Sequence, residues 1–313
     1  VVNRKGRLYG YNTDIDGFLY LLQKNGINML GQNVMILGSG GTSKTVRYAA
    51  KLQKARSVTV VSRRAGKGVV TYEECSALKS TDIIVNTSPA GMFPHAGECL
   101  IAPQEFPQLK AVVDVVYNPL KTELLLRAEE CGVKAVNGLR MLVAQAKFAC
   151  ELFTGMRMKN EQIERVYAAL NGQLCNLVLI GMPGCGKSTI GRKLRRAMNR
   201  ELVDVDREII RRAGMRIPQI FETYGEAHFR RLESELIREL SVGSGRIIST
   251  GGGVVTREEN MRALRQNGVF VFLDRAPERV YLSEDRPLAS NREDLMKLYR
   301  QRYPLYQKYA DIT

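Results

Sequence analysis

The stretch "LIGMPGCGKSTIG", Leu179 to Gly191, contains the spacing G-x-x-x-x-G-K-S from Gly181 to Ser188. Glycines at this spacing let backbone N–H groups turn inward on phosphate oxygens. A Lys beside them reaches the outer phosphates, a Ser hydroxyl can ligate Mg²⁺, and the helix that follows adds its positive N-terminus. Gly184, Cys185, Gly186, Lys187, Ser188 and Thr189 are therefore the candidate residues for holding a nucleoside triphosphate, with Ser188 a candidate metal ligand. A chance glycine-rich turn is the competing reading. The apolar run before the loop and the helical pattern after it weigh against that. Such a loop predicts a nucleoside triphosphate and leaves open what is done with it.

Residues further along narrow the chemistry. "LVDVD" puts Asp204 and Asp206 at the end of an expected strand, both on one face. One can hold the Mg²⁺ shell while the other takes a hydroxyl proton. "FETYGEAHFRRLE" sets Arg230 and Glu233 one helical turn apart, so the acid can orient a guanidinium that grips a carboxylate. "TGGGVV" lets backbone at Gly252 approach a ligand closely. "EDRPLAS" places Arg286 in a short polar loop able to close over phosphates, and "RQRYPLY" places Arg302 on a late helix. Singly, each has a plainer explanation: a capping Asp, a solvated Arg, a tight turn.

Together and in this order these motifs resemble shikimate kinase, over Cys175 to Thr313. The resemblance implies that Asp206 is the base on the shikimate 3-hydroxyl and that Asp204 serves Mg²⁺ with Ser188. It also implies that Arg230, Gly252 and Arg302 bind shikimate, and that Lys187 and Arg286 stabilise the transferring phosphoryl group. That reaction is mostly positioning and charge neutralisation, which a cation-rich set suits. Two departures stand out. The segment from Tyr281 to Ser290 is shorter and poorer in Arg than the family's lid, and the C-terminal end of the family's domain is expected to follow the closing "ADIT".

The first half carries a second nucleotide signal, "VMILGSGGTSKTV". Its Gly38, Ser39, Gly40, Gly41 and Thr42 read G-x-G-x-x-S, a weaker pattern for which a structural turn is a fair rival. The strand "SVTVV" then ends in Ser62, Arg63 and Arg64, where an NAD site would place an acid for the ribose 2′-hydroxyl. Arginines there favour a 2′-phosphate, hence NADP(H); the alternative is two solvated cations. "GYNTDIDG", "NTSPAGM", "DVVYNPLKTELL" and "NGLRMLVAQA" add specificity, and together they resemble the nucleotide-binding part of shikimate dehydrogenase, from Val1 to about Gly172. The resemblance implies that Asp14 is a catalytic carboxylate, that Tyr117 and Gln145 touch shikimate, and that Val116 and Gly138 lie by the nicotinamide. Gly38 to Thr42 would hold the pyrophosphate. The helix usual after the Arg-bearing strand looks shortened in "AGKGVVTYEE". The family's N-terminal substrate domain, and with it a catalytic Lys, is expected to lie outside these residues, which would leave this half without dehydrogenase turnover by itself.

The elements that must position these residues are legible too. "NVMIL", "SVTVV", "DIIVN" and "AVVDVV" read as buried strands, with "TSKTVRYAAKL" and "KTELLLRAEECG" as crossover helices. "NLVLIG", "ELVDVD", "GRIIST" and "GVFVFLD" repeat the logic. The expected fold is α/β: two three-layer parallel-sheet domains, a Rossmann-like NADP-binding domain over 1–172 and a P-loop kinase domain over 173–313. Two helices should join them, the second stopped by Asn171-Gly172, with the next strand starting at about Leu174.

Composition sets the outer bounds. No apolar run among the 313 residues approaches the ~18 a membrane span needs. Six scattered cysteines without a C-x-x-C pair fit a reduced, cytoplasmic setting, and two distant histidines argue against a His-based zinc site. The net charge of +15 is dispersed, so anionic small substrates explain it better than nucleic acid. The two halves resemble enzymes of consecutive steps in aromatic precursor synthesis, one reducing 3-dehydroshikimate to shikimate and the other phosphorylating shikimate. Two alternatives remain at this point: a kinase whose first half is only a nucleotide-binding or scaffolding module, and a kinase for another small carboxylated alcohol.

A cofactor test follows from Arg63 and Arg64. Charge-assisted contacts to phosphate are worth about 1.5–3 kcal/mol each, so NADP should bind roughly tenfold or more tightly than NAD. Calorimetric titration of the wild type and of Arg63→Ala checks this: the variant should lose the preference, and equal affinities in the wild type would contradict it.

Overall fold

In "NVMIL" four consecutive residues, Val34 to Leu37, are buried, which a strand achieves only when both faces of its sheet are covered. In the computed structural model, which describes residues 1–280 and 292–313, this pattern recurs in two compact units, Val1–Asn171 and Gly172–Thr313.

The first unit opens with a hairpin, β1 (Val2–Arg4) and β2 (Arg7–Tyr9), and helix α1 (Asp14–Lys24). There follow β3 (Asn33–Leu37), α2 (Gly41–Leu52), β4 (Ser57–Val61), β5 (Val69–Val70), β6 (Ile83–Asn86), β7 (Ala111–Asp114), α3 (Glu123–Glu130), β8 (Lys134–Val136), α4 (Leu139–Thr154) and α5 (Glu161–Leu174). The sheet runs β5-β4-β3-β6-β7-β8 with every neighbour parallel. Side chains alternate across a strand, and the core divides accordingly. Val34, Ile36, Val60, Val85 and Val113 pack with Phe18, Val46 and Ala49 of α1 and α2, while Met35, Leu37, Val61, Ile84 and Val112 pack with Leu124, Leu125 and Ala128 of α3. Strand order reverses between β3 and β6, where Leu37 is in register with both Val61 and Asn86. A crevice beyond the carboxyl ends of strands at such a switch is where open α/β sheets take ligands.

The second unit is built from β9 (Asn176–Ile180), α6 (Lys187–Met198), β10 (Leu202–Asp204), α7 (Val205–Ala213), α8 (Ile217–Val242), β11 (Ile247–Ser249), α9 (Glu258–Arg265), β12 (Gly268–Phe272) and α10 (Arg292–Tyr309). Its sheet runs β10-β11-β9-β12, again parallel throughout. Helix α8 is broken at Gly225, whose φ of 79° and ψ of 166° leave the helical region, a conformation natural to glycine. Among the described residues, no helix is long and apolar enough to cross a membrane.

Two expectations need correction, and the shortening expected after the Arg-bearing strand is found. Helix α5 runs through Asn171 and Gly172 to Leu174, and the next strand begins at Asn176. Gly172 is not among the glycines with positive φ, so it continues the helix instead of stopping it. Strand β10 ends at Asp204, whose side chain accepts from the Arg207 amide and caps α7, so Asp206 lies in the first helical turn and not on the strand. Between β4 and β6 the described chain has β5 and a single 3₁₀ turn, Cys75–Ala77, in place of a full helix.

At the carboxyl end of β7, the fully buried Asp114 carboxyl accepts from the Asn86 amide (3.0 Å), the Val116 N–H (3.0 Å) and the Thr122 hydroxyl (2.6 Å). It thereby ties β6, β7 and the start of α3 together. Burial outweighs these donors and pushes its pKa up to about 7. A folded-state pKa above the unfolded one means that folding takes up a proton, so stability falls as pH rises from about 4 to about 7. Asp114→Asn keeps an oxygen for Asn86 and Val116 but cannot ionise. Urea unfolding of the first unit at pH 5 and pH 8 should show the wild type losing about 2–3 kcal/mol more than the variant; equal losses would contradict the assignment.

Candidate functional site

Strand β9 delivers the loop 181–186 to the edge of a cleft of ≈ 310 Å³ in the second unit, and α6 begins at Lys187 directly beneath it. Gly184 and Gly186 carry φ of 84° and 108°, which turns the loop's amides toward the space a phosphate would fill. Lys187 is buried, and its Nζ donates to the carbonyls of Gly181 (2.8 Å) and Met182 (2.9 Å). Those two bonds hold the ammonium at the loop, so an anion between them exchanges partners without moving the charge far. Gly184, Gly186, Lys187, Ser188 and Thr189 line the cleft, whereas Cys185 is buried behind the loop, its Sγ 3.8 Å from the lysine nitrogen.

The opposite wall is acidic. Ser188 Oγ donates to Asp204 Oδ2 at 2.6 Å, which pairs a hydroxyl and a carboxylate oxygen at the loop's exit. Asp206, one residue into α7, faces the same cleft, although strand alternation did not put it there. Burial pushes its carboxyl up to about 6, helped by the charges of Glu233 and Asp204 and opposed by Lys187 and Arg230. A carboxylate with that proton affinity is a better acceptor than an ordinary aspartate.

Beyond Gly225, helix α8 contributes Arg230 and Glu233 to the floor. The guanidinium, 8% exposed, donates to Glu233 Oε2 (2.8 Å) and, through Nε and the other amine, to Glu226 Oε1 (3.1 and 3.0 Å). Glu233 is fully buried, and its Oε1 has no hydrogen-bond partner. A Cβ on Gly251 would stand 2.8 Å from both this oxygen and Asp206 Oδ1, and one on Gly252 would stand 2.6 Å from Pro183. The glycine run is thus required by the crowding of the walls rather than by a turn. Arg302 reaches the cleft from α10, 6% exposed. Arg286 lies outside the described residues.

Several cleft residues carry no motif. Phe221 and Phe229, with ring centroids 5.1 Å apart, supply an apolar wall beside Ile217, and Thr250 donates its hydroxyl to Leu179 O behind the sheet edge. The helical spacing in "IPQIFETYGEAHF" is the one signal that could have found the wall, since it sets these residues on the inward stripe.

In the first unit, the loop after β3 is similarly placed. Gly38, with φ of 98°, lies tight against Ser88, and Gly40 precedes the first turn of α2, where Gly41 and Thr42 begin the helix. The hydroxyls of Ser39 and Ser62 meet at 3.2 Å, which brings the ends of β3 and β4 together, and Arg63 and Arg64 follow, exposed. Val116 is buried and takes an N–H bond from Gly138 (3.1 Å), where any Cβ would collide with the Val115 carbonyl. Gln145 packs against Gly17 of α1, one turn beyond Asp14, and Tyr117 stands exposed after β7.

Comparison with known proteins divides the chain in the same way. A family model described as shikimate kinase matches residues 183–313. The chain is 44% identical over 144 residues to a shikimate kinase of Bordetella avium, covering 44% of this chain and 69% of that protein. It is 31% identical over 180 residues to a shikimate dehydrogenase (NADP(+)) of Clostridium perfringens, covering 54% of this chain; it spans 66% of that dehydrogenase's length. A crystal structure of a chorismate mutase/shikimate 5-dehydrogenase fusion protein from Clostridium acetobutylicum matches with a TM-score of 0.50 and 35% identity, over 51% of this chain and 62% of that one. A dehydrogenase-like part with a Rossmann-like fold therefore precedes a P-loop kinase part in one chain.

The buried ion pair of Arg230 and Glu233 sets a stability expectation. Arg230→Met leaves the fully buried Glu233 carboxylate without the cation on its Oε2, which costs about 3–5 kcal/mol. Denaturant unfolding of the second unit should show that loss; a change below about 1 kcal/mol would mean that Glu233 is compensated by another group.

Proposed function

We propose, because the chain belongs to the shikimate kinase family over residues 183–313, that it transfers the γ-phosphoryl group of ATP to the 3-hydroxyl of shikimate. The observation that carries this reading is the meeting of Lys187, Asp206, Arg230 and Arg302 in one cleft with the 251–253 glycine run. Arg230, oriented by Glu233 and Glu226, and Arg302 bind the substrate carboxylate. Gly252 offers backbone to the ring, and Phe221 and Phe229 exclude water from its apolar side. This holds the 3-hydroxyl near Asp206.

Asp206 takes the hydroxyl proton as the new O–P bond forms and the bond from the γ-phosphorus to the bridging oxygen of ADP breaks. Lys187 exchanges its contacts with the Gly181 and Met182 carbonyls for phosphate oxygens and neutralises charge through the transfer. The Gly184–Thr189 segment cradles the phosphates. Ser188 and Asp204 present two hard oxygens 2.6 Å apart, which suits Mg²⁺ held jointly with phosphate. When bound, that ion supplies charge neutralisation and geometry for the phosphates. Arg286 is assigned the role of a second cation on the transferring group.

For the first unit we propose binding of NADP(H), with Gly38–Thr42 at the pyrophosphate, Ser62, Arg63 and Arg64 at the 2′-phosphate, and Val116 and Gly138 beside the nicotinamide. The contact of Ser39 with Ser62 and the open start of α2 fit this cofactor, which supplies hydride when bound. We assign Asp14, Tyr117 and Gln145 to 3-dehydroshikimate, whose reduction yields shikimate. Both activities belong to the cytoplasm.

The kinase reading is tested at its proton acceptor. Asp206→Asn should lower shikimate-dependent ADP formation by roughly 10²-fold or more, the scale of general-base loss, with ATP binding retained. In the wild type the rate should rise with pH through about 6, as the acceptor ionises. Near wild-type turnover by the variant in a coupled assay would overturn the assignment.

A further inference from the structure

Tyr306 is fully buried on α10, one turn after Arg302, and its hydroxyl is the meeting point of three parts of the kinase cleft. The phenol donates to the Gly252 carbonyl, and the Arg302 guanidinium, one turn earlier on α10, is the charge that acts most strongly on it. Its ring lies stacked on Phe272 of β12, centroids 5.2 Å apart and planes at 19°. Gly252 in turn presses on Pro183 of the phosphate loop, with no room for a side chain between them.

The chemistry gives this chain of bonds a single direction. A carbonyl can only accept, so the phenol points its hydrogen at Gly252 and turns its lone pairs, which a guanidinium can only complement, away from it. A buried hydroxyl that is hydrogen-bonded costs little, whereas its removal leaves the Gly252 carbonyl without this donor. The Phe272 stack holds the ring independently of these bonds, so packing and hydrogen bonding can be separated by mutation.

We propose that Tyr306 is a positioning residue for the acceptor substrate, acting through Arg302 and Gly252, which it sets as one unit. This rests on the reading that the cleft phosphorylates shikimate. The hydroxyl's hydrogen bond ends on Gly252, beside Pro183 and ahead of the Gly184–Thr189 cradle, so the larger effect falls on the acceptor.

Steady-state kinetics of the 313-residue chain, wild type, Tyr306→Phe and Phe272→Leu, with shikimate and ATP varied in turn, tests this. Tyr306→Phe should raise KM for shikimate roughly 10- to 100-fold, leave KM for ATP within about twofold, and lower kcat less than it raises KM. Phe272→Leu, which loosens the ring's packing and keeps the hydroxyl, should lower the unfolding midpoint and leave KM for shikimate unchanged. An unchanged KM for shikimate in Tyr306→Phe overturns the proposal while the kinase reading stands. So does a Tyr306→Phe chain that is unfolded at 25 °C, or one in which both KM values rise in parallel with those of Phe272→Leu, since either would make the hydroxyl structural. A wild type that does not turn over shikimate overturns the reading and the proposal with it.

Discussion

The second unit concentrates Lys187, Asp204, Asp206, Arg230, Glu233 and Arg302 around one cleft, and three of them are less than 10% exposed with a fourth fully buried. Charges removed from water are tolerated only when each is compensated, and that requirement organises the rest. Glu233 is buried because Arg230 pairs with it; Arg230 is buried because Glu226 and Glu233 take its donors. The compensation is deliberately incomplete at two points. Glu233 Oε1 has no partner, and Asp206 carries a raised proton affinity. Unfinished pairing of this kind is what the hydroxyl donors of a ligand would complete.

The backbone is shaped around the same charges. Gly251 leaves space between two acidic oxygens and Gly252 admits Pro183, so the 251–253 run is set by side chains on α7 and α8 and by the phosphate loop. The break in α8 at Gly225 separates the segment bearing Phe221 from the segment bearing Phe229 and Arg230, yet both segments face the cleft. The first unit uses the same device, a parallel sheet with ligand loops at the carboxyl ends of its strands, for a different purpose. Its loops end in serines and exposed arginines, and its buried acid, Asp114, lies at the carboxyl end of β7 tying strands together. One architecture thus leaves exposed cations after a strand in one unit and buries an acid and a cation together in the other.

How much of this was legible depends on whether the signal was local. Buried parallel strands are continuous apolar runs, so "NVMIL", "NLVLIG" and "GVFVFLD" marked β3, β9 and β12 directly, and the phosphate loop was plain because its function needs fixed residues at fixed spacing. Asp206 was found for its residue type but misplaced on a strand, since Asp204 caps a helix that begins at once and the strand period ends there. Asn171-Gly172 looked like a stop, and α5 passed through it because the pair stays helical. Tyr306, Phe221 and Phe229 were missed as site residues, because an aromatic on an inward helical stripe reads as core until the cleft beside it is known. The Asp114 network was equally hidden: it joins residues up to 36 positions apart in the chain, from Asn86 to Thr122, that only the sheet register brings together.

The central claim, that the cleft's cations and Asp206 direct phosphoryl transfer to one hydroxyl of one carboxylated substrate, is tested most directly by phosphorus NMR of the product formed from shikimate, ATP and Mg²⁺. The account predicts a phosphomonoester on the 3-hydroxyl appearing in step with ADP, with no product from the methyl ester, which lacks the charge that Arg230 and Arg302 bind. Inorganic phosphate as the only new species, or phosphorylation of the ester at a comparable rate, would contradict it.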